Sequence, residues 1–173
     1  MTILHTPRLA LRPFSPTGDF DFYFHLQSDP EVMRYIRAPE PDPEVVRARL
    51  MAQYEYAQKH PGLGSMVAAW KEQPEPLAIG VLRHLEYNPE NDLELGYIIA
   101  PPFQGMGLAT EIARALADYA FDHFGAPRVT AVTDPENAAS QHVLRKCGFR
   151  ETGLRKIYEA ECLMFVLDAP ARK

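Results

Sequence analysis

The chain has 173 residues, a net charge of −5, 46% hydrophobic residues and 24% charged residues. This length suits one domain with a substantial core, and the composition excludes a disordered or fibrous protein. The acidic balance argues against a dedicated nucleic-acid binder and mildly favours a cationic partner, although a solubilising surface charge also accounts for it. We therefore expect a single domain over residues 1–173 without a nucleic-acid partner.

The sequence contains no signal for a membrane or an oxidising compartment. The N-terminus lacks the apolar run of a signal peptide, and no apolar run reaches membrane-spanning length. The two cysteines, Cys147 and Cys162, lie in apolar segments without CxxC spacing, which is typical of small core residues in a reducing compartment. We expect a soluble, cytoplasmic protein with no membrane partner.

The first half of the chain begins with one strand and continues with helices. The predicted elements are a strand over 9–14 and helices over 17–27, 29–36 and 42–59. Asp29 and Asp42 each precede a proline and a glutamate, a pattern that predicts an aspartate cap at a helix N-terminus.

The second half predicts a strand meander followed by alternating helices and strands. The predicted elements are strands over 65–71, 77–87 and 92–100, a helix over 108–124, a strand over 128–133, a helix over 137–147, and strands over 149–152 and 157–168. Asn137 is expected to cap its helix, and Gly148 is expected to end it in the left-handed conformation.

This order of elements predicts one α+β domain, an α/β sandwich. Its single sheet is expected to be mixed, largely antiparallel and built of about seven strands flanked by four to five helices. One parallel βαβ crossover is expected around the turn at residues 104–107.

The turn over 104–107 is the most informative stretch, because it joins an apolar strand to a helix that opens at Leu108. The first amides of a helix have no partner within the helix, and the helix dipole favours negative charge there. Gly105 and Gly107 permit positive φ and a close approach of the backbone to a ligand. The turn is therefore expected to bind a phosphate or a pyrophosphate.

Two common phosphate-binding patterns fit this turn poorly. A P-loop requires a lysine before Ser or Thr, and Leu108-Ala109-Thr110 contains none. A dinucleotide-binding turn would need a third glycine at the position of Thr110 and a parallel sheet throughout.

The turn instead resembles the pyrophosphate loop of the GNAT acetyltransferase superfamily, with Gln104, Gly107 and Ala109 in its Q-x-x-G-x-A pattern. The resemblance covers nearly the whole chain in the same order and points to the RimJ/RimL-like branch, which acetylates protein N-termini and assorted amines. The segments that carry it are Thr6–Arg12, Asp29–Tyr35, Leu95–Tyr97, Gly105–Glu111, Asn137–Ser140 and Val143–Phe149.

This resemblance implies an N-acetyltransferase that uses acetyl-CoA as co-substrate and a primary amine as acceptor. The loop amides would bind the pyrophosphate, the strand before the loop would pair with the pantetheine arm, and the start of the helix at Asn137 would face the thioester. The implied cofactor-binding residues are Tyr97, Ile98, Ile99, Gln104, Gly105, Met106, Gly107, Leu108, Ala109, Thr110, Asn137 and Ser140.

Glu94 is the first candidate for the general base. Strand alternation places it on one face with Gly96 and Ile98, a few residues before the loop. A carboxylate there could deprotonate an amine directly or through water, and a solvated strand glutamate is the alternative. The other candidates are His84, Glu86, His142, Glu159 and Glu161.

Ser140 is the candidate general acid. Many family members carry a tyrosine where this chain has Leu144, which cannot donate a proton. Ser140 lies one helical turn before Leu144. Because it also lies three residues after Asn137, it could instead form a local hydrogen bond at the start of the helix. Solvent could also protonate the leaving thiolate. No metal site is expected, because His142 and Cys147 lack further ligands.

Two classes of function stay open at this point. One is an enzyme in which the amine attacks directly within a ternary complex, since the loop has no cysteine for a covalent acetyl-enzyme. The other is a non-catalytic acyl-CoA-binding or sensing module on the same fold. The acceptor could be a protein N-terminus, a polyamine, an amino acid or an antibiotic amine, and the oligomeric state, a homodimer included, stays open.

Overall fold

The computed structural model describes residues 4–171, so residues 1–3 and 172–173 of the expected domain lie outside it. Within the described range, eight strands form one sheet and five α-helices flank it. The strands are β1 (Leu4–His5), β2 (Leu9–Pro13), β3 (Gly64–Trp70), β4 (Pro76–His84), β5 (Leu93–Ile99), β6 (Arg128–Thr133), β7 (Arg150–Ile157) and β8 (Ala160–Asp168). The helices are α1 (Phe20–Ser28), α2 (Pro30–Met33), α3 (Pro43–Lys59), α4 (Leu108–Phe124) and α5 (Ala138–Lys146).

The strand order is β1-β2-β3-β4-β5-β6-β8-β7. Every neighbouring pair is antiparallel except β5 and β6, which are parallel and joined through α4. The predicted mixed sheet with one parallel crossover is confirmed. It has eight strands rather than about seven, because the two-residue β1 pairs with β2.

The predicted helix caps are confirmed. Asp29, Asp42 and Asn137 each accept a hydrogen bond from a backbone N–H two or three residues further along the chain. Gly148 follows α5 with a φ of 90°. Two helices are shorter than expected. The helix expected to begin at residue 17 is α1, which begins at Phe20, and the helix expected to end at residue 36 is α2, which ends at Met33.

Three of the strand predictions were wrong in their extent. The strand expected over 77–87 ends at His84, and a turn over Leu85–Tyr87 follows it. The strands expected over 149–152 and 157–168 are instead the hairpin β7–β8, which reverses at Tyr158 and Glu159. Both turns contain non-glycine residues with positive φ, which a pattern of alternating polarity does not reveal.

The sheet separates two apolar clusters, one under α4 and one under α1 and α3. The side chains of β5 alternate between them, since Leu93 and Leu95 face α4 while Ile98 faces α1 and α3. Gly80 on β4 lets α4 lie close to the sheet, because a Cβ there would be only 3.1 Å from Ile112 Cγ2. This packing places the N-terminus of α4 at the end of β5.

Candidate active site

The C-terminal half of β5 has an open edge. β5 pairs with β4 along its whole length, but its register with β6 includes only Leu93 and Glu94. From Gly96 to Ile99, no strand within residues 4–171 is paired on the β6 side. Backbone groups on such an edge are available to an extended ligand, which adds to the sheet as another strand would. The predicted residues Tyr97, Ile98 and Ile99 lie on this edge.

The glycine loop connects β5 to α4 with an exposed backbone. Gly105 and Gly107 both have a φ of 76°, and a Cβ at Gly105 would have no atom within 4 Å. Gly107 is the N-cap of α4 and supplies no side chain to the first amides of the helix. The Gln104 side chain donates to the Ile99 carbonyl at 3.1 Å and ties the loop to β5. An anion would therefore find uncapped amides and the positive end of a 17-residue helix.

Arg8 and Glu111 hold this loop from the outside. Arg8 Nη1 donates to the Met106 carbonyl at 3.0 Å, and Arg8 Nε donates to Glu111 Oε2 at 2.6 Å. Burial opposes ionisation of Glu111, but the hydrogen bonds from Thr6 and Arg8 and the charge of Arg8 lower its pKa. The prediction missed this support, because no local pattern pairs residues 103 positions apart.

A pair of hydroxyl groups lies at the centre of β5. Tyr97 Oη is 3.1 Å from Ser140 Oγ and also donates to the Ser140 carbonyl at 3.3 Å. Burial raises the pKa of Tyr97 to about 12, and its hydrogen bond to Ser140 only partly offsets this rise. The Tyr97 hydroxyl therefore stays protonated at neutral pH and makes a hydroxyl chain with Ser140.

Asn137 and Leu144 occupy different positions on the same helix. The Asn137 side chain accepts from Ser140 N–H at 3.0 Å as the cap of α5, and its amide NH₂ makes no hydrogen bond to any described residue. Leu144 is only 1% exposed and packs in the cluster under α4. The position at which many family members have a tyrosine is therefore apolar core here, and the hydroxyl that reaches Ser140 comes from Tyr97 on β5.

Glu94 lies at the other end of the open edge and is only 6% exposed. Its Oε2 accepts from Arg83 Nε at 3.3 Å, across the β4–β5 pair, and from the Tyr158 hydroxyl. Burial and the Glu94 charge both raise the pKa of Tyr158, so this hydroxyl is a donor. The alternative of a solvated strand glutamate is therefore wrong.

Arg83 and two tyrosines form the wall beside Glu94. The Arg83 guanidinium carbon lies 4.4 Å from the centre of the Tyr87 ring and 5.2 Å from that of Tyr158. Its Nη1 also donates to the Tyr87 hydroxyl. Burial disfavours the charge of Arg83, yet Glu94 and the tyrosines raise its pKa. No local sequence pattern indicates a role for Arg83, Tyr87 or Tyr158.

The other base candidates have different surroundings. Tyr56 Oη lies 2.7 Å from His84 Nδ1, and burial followed by the charge of His60 lowers the pKa of His84. His84 is thus held near the neutral form by a structural contact with α3. The four remaining candidates are exposed at the surface: Glu86, His142, Glu159 and Glu161.

A groove of about 660 Å³ runs along the outer face of α4, between residues 4–8 and Lys146, and it touches the loop at Gly107. None of Glu94, Tyr97 and Ser140 lines it, so the chemistry described above lies elsewhere. Among residues 4–171, no three His, Cys, Asp or Glu side chains are close enough to hold a metal ion. None of the helices in the same range is long and apolar enough to span a bilayer.

Comparison with known proteins identifies the family. The family model described as "Acetyltransferase (GNAT) domain" matches residues 8–150 of this chain. The uncharacterized N-acetyltransferase YnaD of Bacillus subtilis is 30% identical over 87% of this chain and 84% of its own length. The uncharacterized N-acetyltransferase p20 of Bacillus licheniformis is 31% identical over 92% of this chain and 88% of its own length. The chain belongs to the GNAT acetyltransferase family and is an N-acetyltransferase.

A shorter match and two solved structures complete the comparison. Spermidine N(1)-acetyltransferase of Escherichia coli is 38% identical over 60 residues, 35% of this chain and 32% of its own length. An acetyltransferase from Agrobacterium tumefaciens superposes with a TM-score of 0.85 at 23% identity over 98% of this chain and 95% of its own. RimL, a ribosomal L7/L12 N-acetyltransferase solved with coenzyme A, superposes with a TM-score of 0.80 at 18% identity. The superposition covers 96% of this chain and 98% of RimL. These two structures establish the shared fold, and members of this family use acetyl-CoA.

Proposed function

We propose that this protein transfers the acetyl group of acetyl-CoA to a primary amine by direct attack, as an enzyme of the RimJ/RimL-like branch. The observation that carries the proposal is the unpaired segment Gly96–Ile99 of β5. Glu94 lies before this segment and the glycine loop lies after it, so one strand joins a buried carboxylate to an anion-binding loop. The likeness to RimL, which was solved with coenzyme A, supports the binding of coenzyme A along this strand.

The donor binds along this strand. The loop residues Gln104 to Thr110 present amides to the pyrophosphate at the uncapped start of α4. The pantetheine arm pairs with the open edge at Tyr97, Ile98 and Ile99. The free amide NH₂ of Asn137 is available to the thioester end, since only its oxygen is used in the cap.

Glu94 acts as the general base for the attacking amine. The amine nitrogen forms a bond to the thioester carbon, and the proton that it loses passes to Glu94, directly or through one water. At pH 7 an α-amine with a pKa of about 7.8 is roughly one-tenth neutral, whereas a lysine amine with a pKa of about 10.4 is neutral only about once in 2,500 molecules. This difference, on the order of 3.5 kcal/mol, favours acceptors with less basic amines such as protein N-termini. A small-molecule amine, a polyamine included, remains the other class of acceptor.

Ser140 and Tyr97 act on the leaving group. When the tetrahedral intermediate collapses, the carbon–sulfur bond breaks and its electron pair goes to the CoA sulfur. A proton from Ser140 Oγ then forms the thiol. Tyr97 Oη, at 3.1 Å, returns a proton to Ser140 and regains its own from solvent. This arrangement supplies a proton donor although Leu144 has no hydroxyl.

Thermal unfolding with ligand, followed by a turnover assay, tests this proposal. Acetyl-CoA at a hundred times its Kd should stabilise the protein by about 2.7 kcal/mol, which is a melting shift on the order of 5–10 °C. Free thiol should then be released from acetyl-CoA with a panel of amines and N-terminal peptides. The absence of a melting shift contradicts any CoA-binding function.

The alternative of a non-catalytic acyl-CoA-binding or sensing module does not fit the family assignment, because relatives that match most of this chain are named N-acetyltransferases. We place the enzyme in the cytoplasm, consistent with two free cysteines.

A further inference from the structure

Two turns at the Glu94 end of β5 have an unfavourable backbone conformation. Within residues 4–171, the non-glycine residues with positive φ are Glu86 (55°), Tyr87 (56°), Tyr158 (51°) and Glu159 (62°). Glycine adopts this region easily, whereas a side chain makes it unfavourable. Such residues persist where the surrounding contacts hold them, and they cluster at functional sites.

The two turns contact each other directly. The Tyr158 hydroxyl accepts from Glu86 N–H at 2.8 Å, and Tyr158 N–H donates to Glu86 Oε1 at 3.3 Å. The rings of Tyr87 and Tyr158 pack edge to face at a centroid distance of 6.4 Å. The turn after β4 and the β7–β8 turn therefore hold each other, although they are 72 residues apart in the chain.

This contact fixes the direction of the Tyr158 hydroxyl. A tyrosine hydroxyl has one hydrogen, and its oxygen already accepts from Glu86 N–H. Its own hydrogen is therefore available to Glu94 Oε2, which also accepts from Arg83 Nε. Both donors engage Oε2, while Glu94 Oε1 makes no hydrogen bond to any described residue.

We propose that Tyr158 is a positioning residue for acetyl transfer. It holds the Glu94 carboxylate through Oε2 and directs Oε1 to the attacking amine. The two strained turns serve to keep the hydroxyl in this place. This inference rests on the proposed role of Glu94 as the general base.

Several other ionisable groups lie near Glu94. They are Arg83 on β4, Tyr56 on α3 with His84 and His60 behind it, Glu86 behind Tyr158, and Cys162 on β8. Burial raises the pKa of both Tyr56 and Cys162, so these two groups stay neutral at and below neutral pH. Arg83 stays charged throughout.

The variant Tyr158→Phe tests the proposal, because it removes the hydroxyl and keeps the ring beside Arg83. Loss of one hydrogen bond to a charged group should lower kcat about tenfold and move the acid limb of the kcat/KM profile up by about one pH unit. The KM for acetyl-CoA should not change. Tyr119→Phe on α4 is the matched control, because the buried Tyr119 hydroxyl has no hydrogen-bond partner among residues 4–171, and it should behave as the wild type.

A purely structural role for Tyr158 would give a different result. Tyr158→Phe would then lose activity equally at all pH values, with the acid limb unmoved, and this outcome overturns the proposal. If Tyr158→Phe does not fold, 3,5-difluorotyrosine at position 158 retains the hydroxyl and makes it a stronger donor. It should move the acid limb to lower pH, and an unmoved limb would again overturn the proposal.

Glu94→Gln separates this inference from the function on which it rests. If Glu94→Gln turns over like the wild type, the base role of Glu94 fails, and the inference fails with it. If Glu94→Gln is inactive while Tyr158→Phe keeps the wild-type profile, the function stands and only the positioning role of Tyr158 is wrong.

Discussion

The two ends of β5 are built by different means. At the loop end, the proposed binding groups are backbone amides, and positive φ occurs at Gly105 and Gly107. At the Glu94 end, side chains from separate segments supply the groups, and positive φ occurs at four residues that carry side chains. The left-handed conformation costs a glycine little, but it costs other residues roughly 1–2 kcal/mol each.

This difference indicates that the two ends of β5 have different functions. Backbone amides at a helix start can bind the same pyrophosphate in every member of a family, whatever the acceptor. The ion pair and tyrosines around Glu94 must offset the strain of their own turns, so this end depends on contacts between distant side chains. The loop end should therefore determine donor affinity, and the Glu94 end should determine turnover and acceptor choice.

The largest expected effect is that of Glu94→Gln. Removing the proposed general base should lower kcat by about 10²–10³-fold, while the Kd for acetyl-CoA, measured by titration calorimetry, should stay within about twofold. Asp168→Asn, which changes an exposed carboxylate paired with Arg150, is the control and should leave both quantities unchanged. A large increase in Kd for Glu94→Gln would mean that the two ends are not independent.

The next effect concerns Tyr97, which lies between the two ends. Its pKa is raised to about 12 by burial, against about 10 in an unfolded chain. The folded state holds this proton more tightly, so a stabilising contribution on the order of 2 kcal/mol is present below pH 10 and is lost as the pH rises towards 12.

Urea unfolding of Tyr97→Phe and wild type between pH 9 and 11.5 measures this contribution. The variant should lose stability less steeply above pH 10, because it has no hydroxyl to ionise at this position. Parallel curves for the two proteins would show that water reaches the centre of β5, which would contradict the burial of Tyr97.

Ser140→Ala should have a smaller effect on turnover. Without this hydroxyl, solvent can still protonate the leaving thiolate, so kcat should fall only about tenfold, or about 1.4 kcal/mol. The melting temperature should change little, since the backbone N–H of Ser140 still donates to Asn137. Full activity in a steady-state thiol assay would remove Ser140 from the mechanism.

The smallest effect is that of Gly107→Ala in the loop. A Cβ would meet only Arg8 Nη2, at 3.8 Å, so the cost comes from the backbone and should be about 1 kcal/mol, or roughly 2–4 °C in melting temperature. Because the loop amides also lose their alignment, the Kd for acetyl-CoA should rise several-fold.

Gly148→Ala is the matched control for Gly107→Ala. Gly148 has a φ of 90° and equally open surroundings, but it lies at the end of α5. It should give a similar melting loss with an unchanged Kd. Equal changes in Kd for both variants would mean that the loop conformation is not specific to donor binding.

Much of the fold was predictable because its signals are local. Asp29, Asp42 and Asn137 bond to amides two or three residues away, and such distances are set by the helix itself. The three misjudged strands border turns that contain glutamate and tyrosine at positive φ. Those residues are held by contacts with each other rather than by their own preference, so no local pattern indicates them.

The candidate site divides in the same way. The loop Gln104–Thr110 was predicted as an anion site from its glycines and the helix that follows, and the structure adds that α4 has no side-chain cap. Glu94 was selected by its position on the strand, but its partners were not foreseen. Arg83 and Tyr158 reach it from 11 and 64 positions away.

The sequence by itself determined the order of elements, the helix caps and the glycine loop, because each depends on residues only a few positions apart. Tertiary structure alone decided that Tyr97 meets Ser140, that Leu144 is core, and that Tyr158 and Arg83 hold Glu94. These contacts depend on where the sheet places distant strands and on which groups lose their water. Pairing across the sheet brings such residues together, and the residues next to them in the chain do not indicate these contacts.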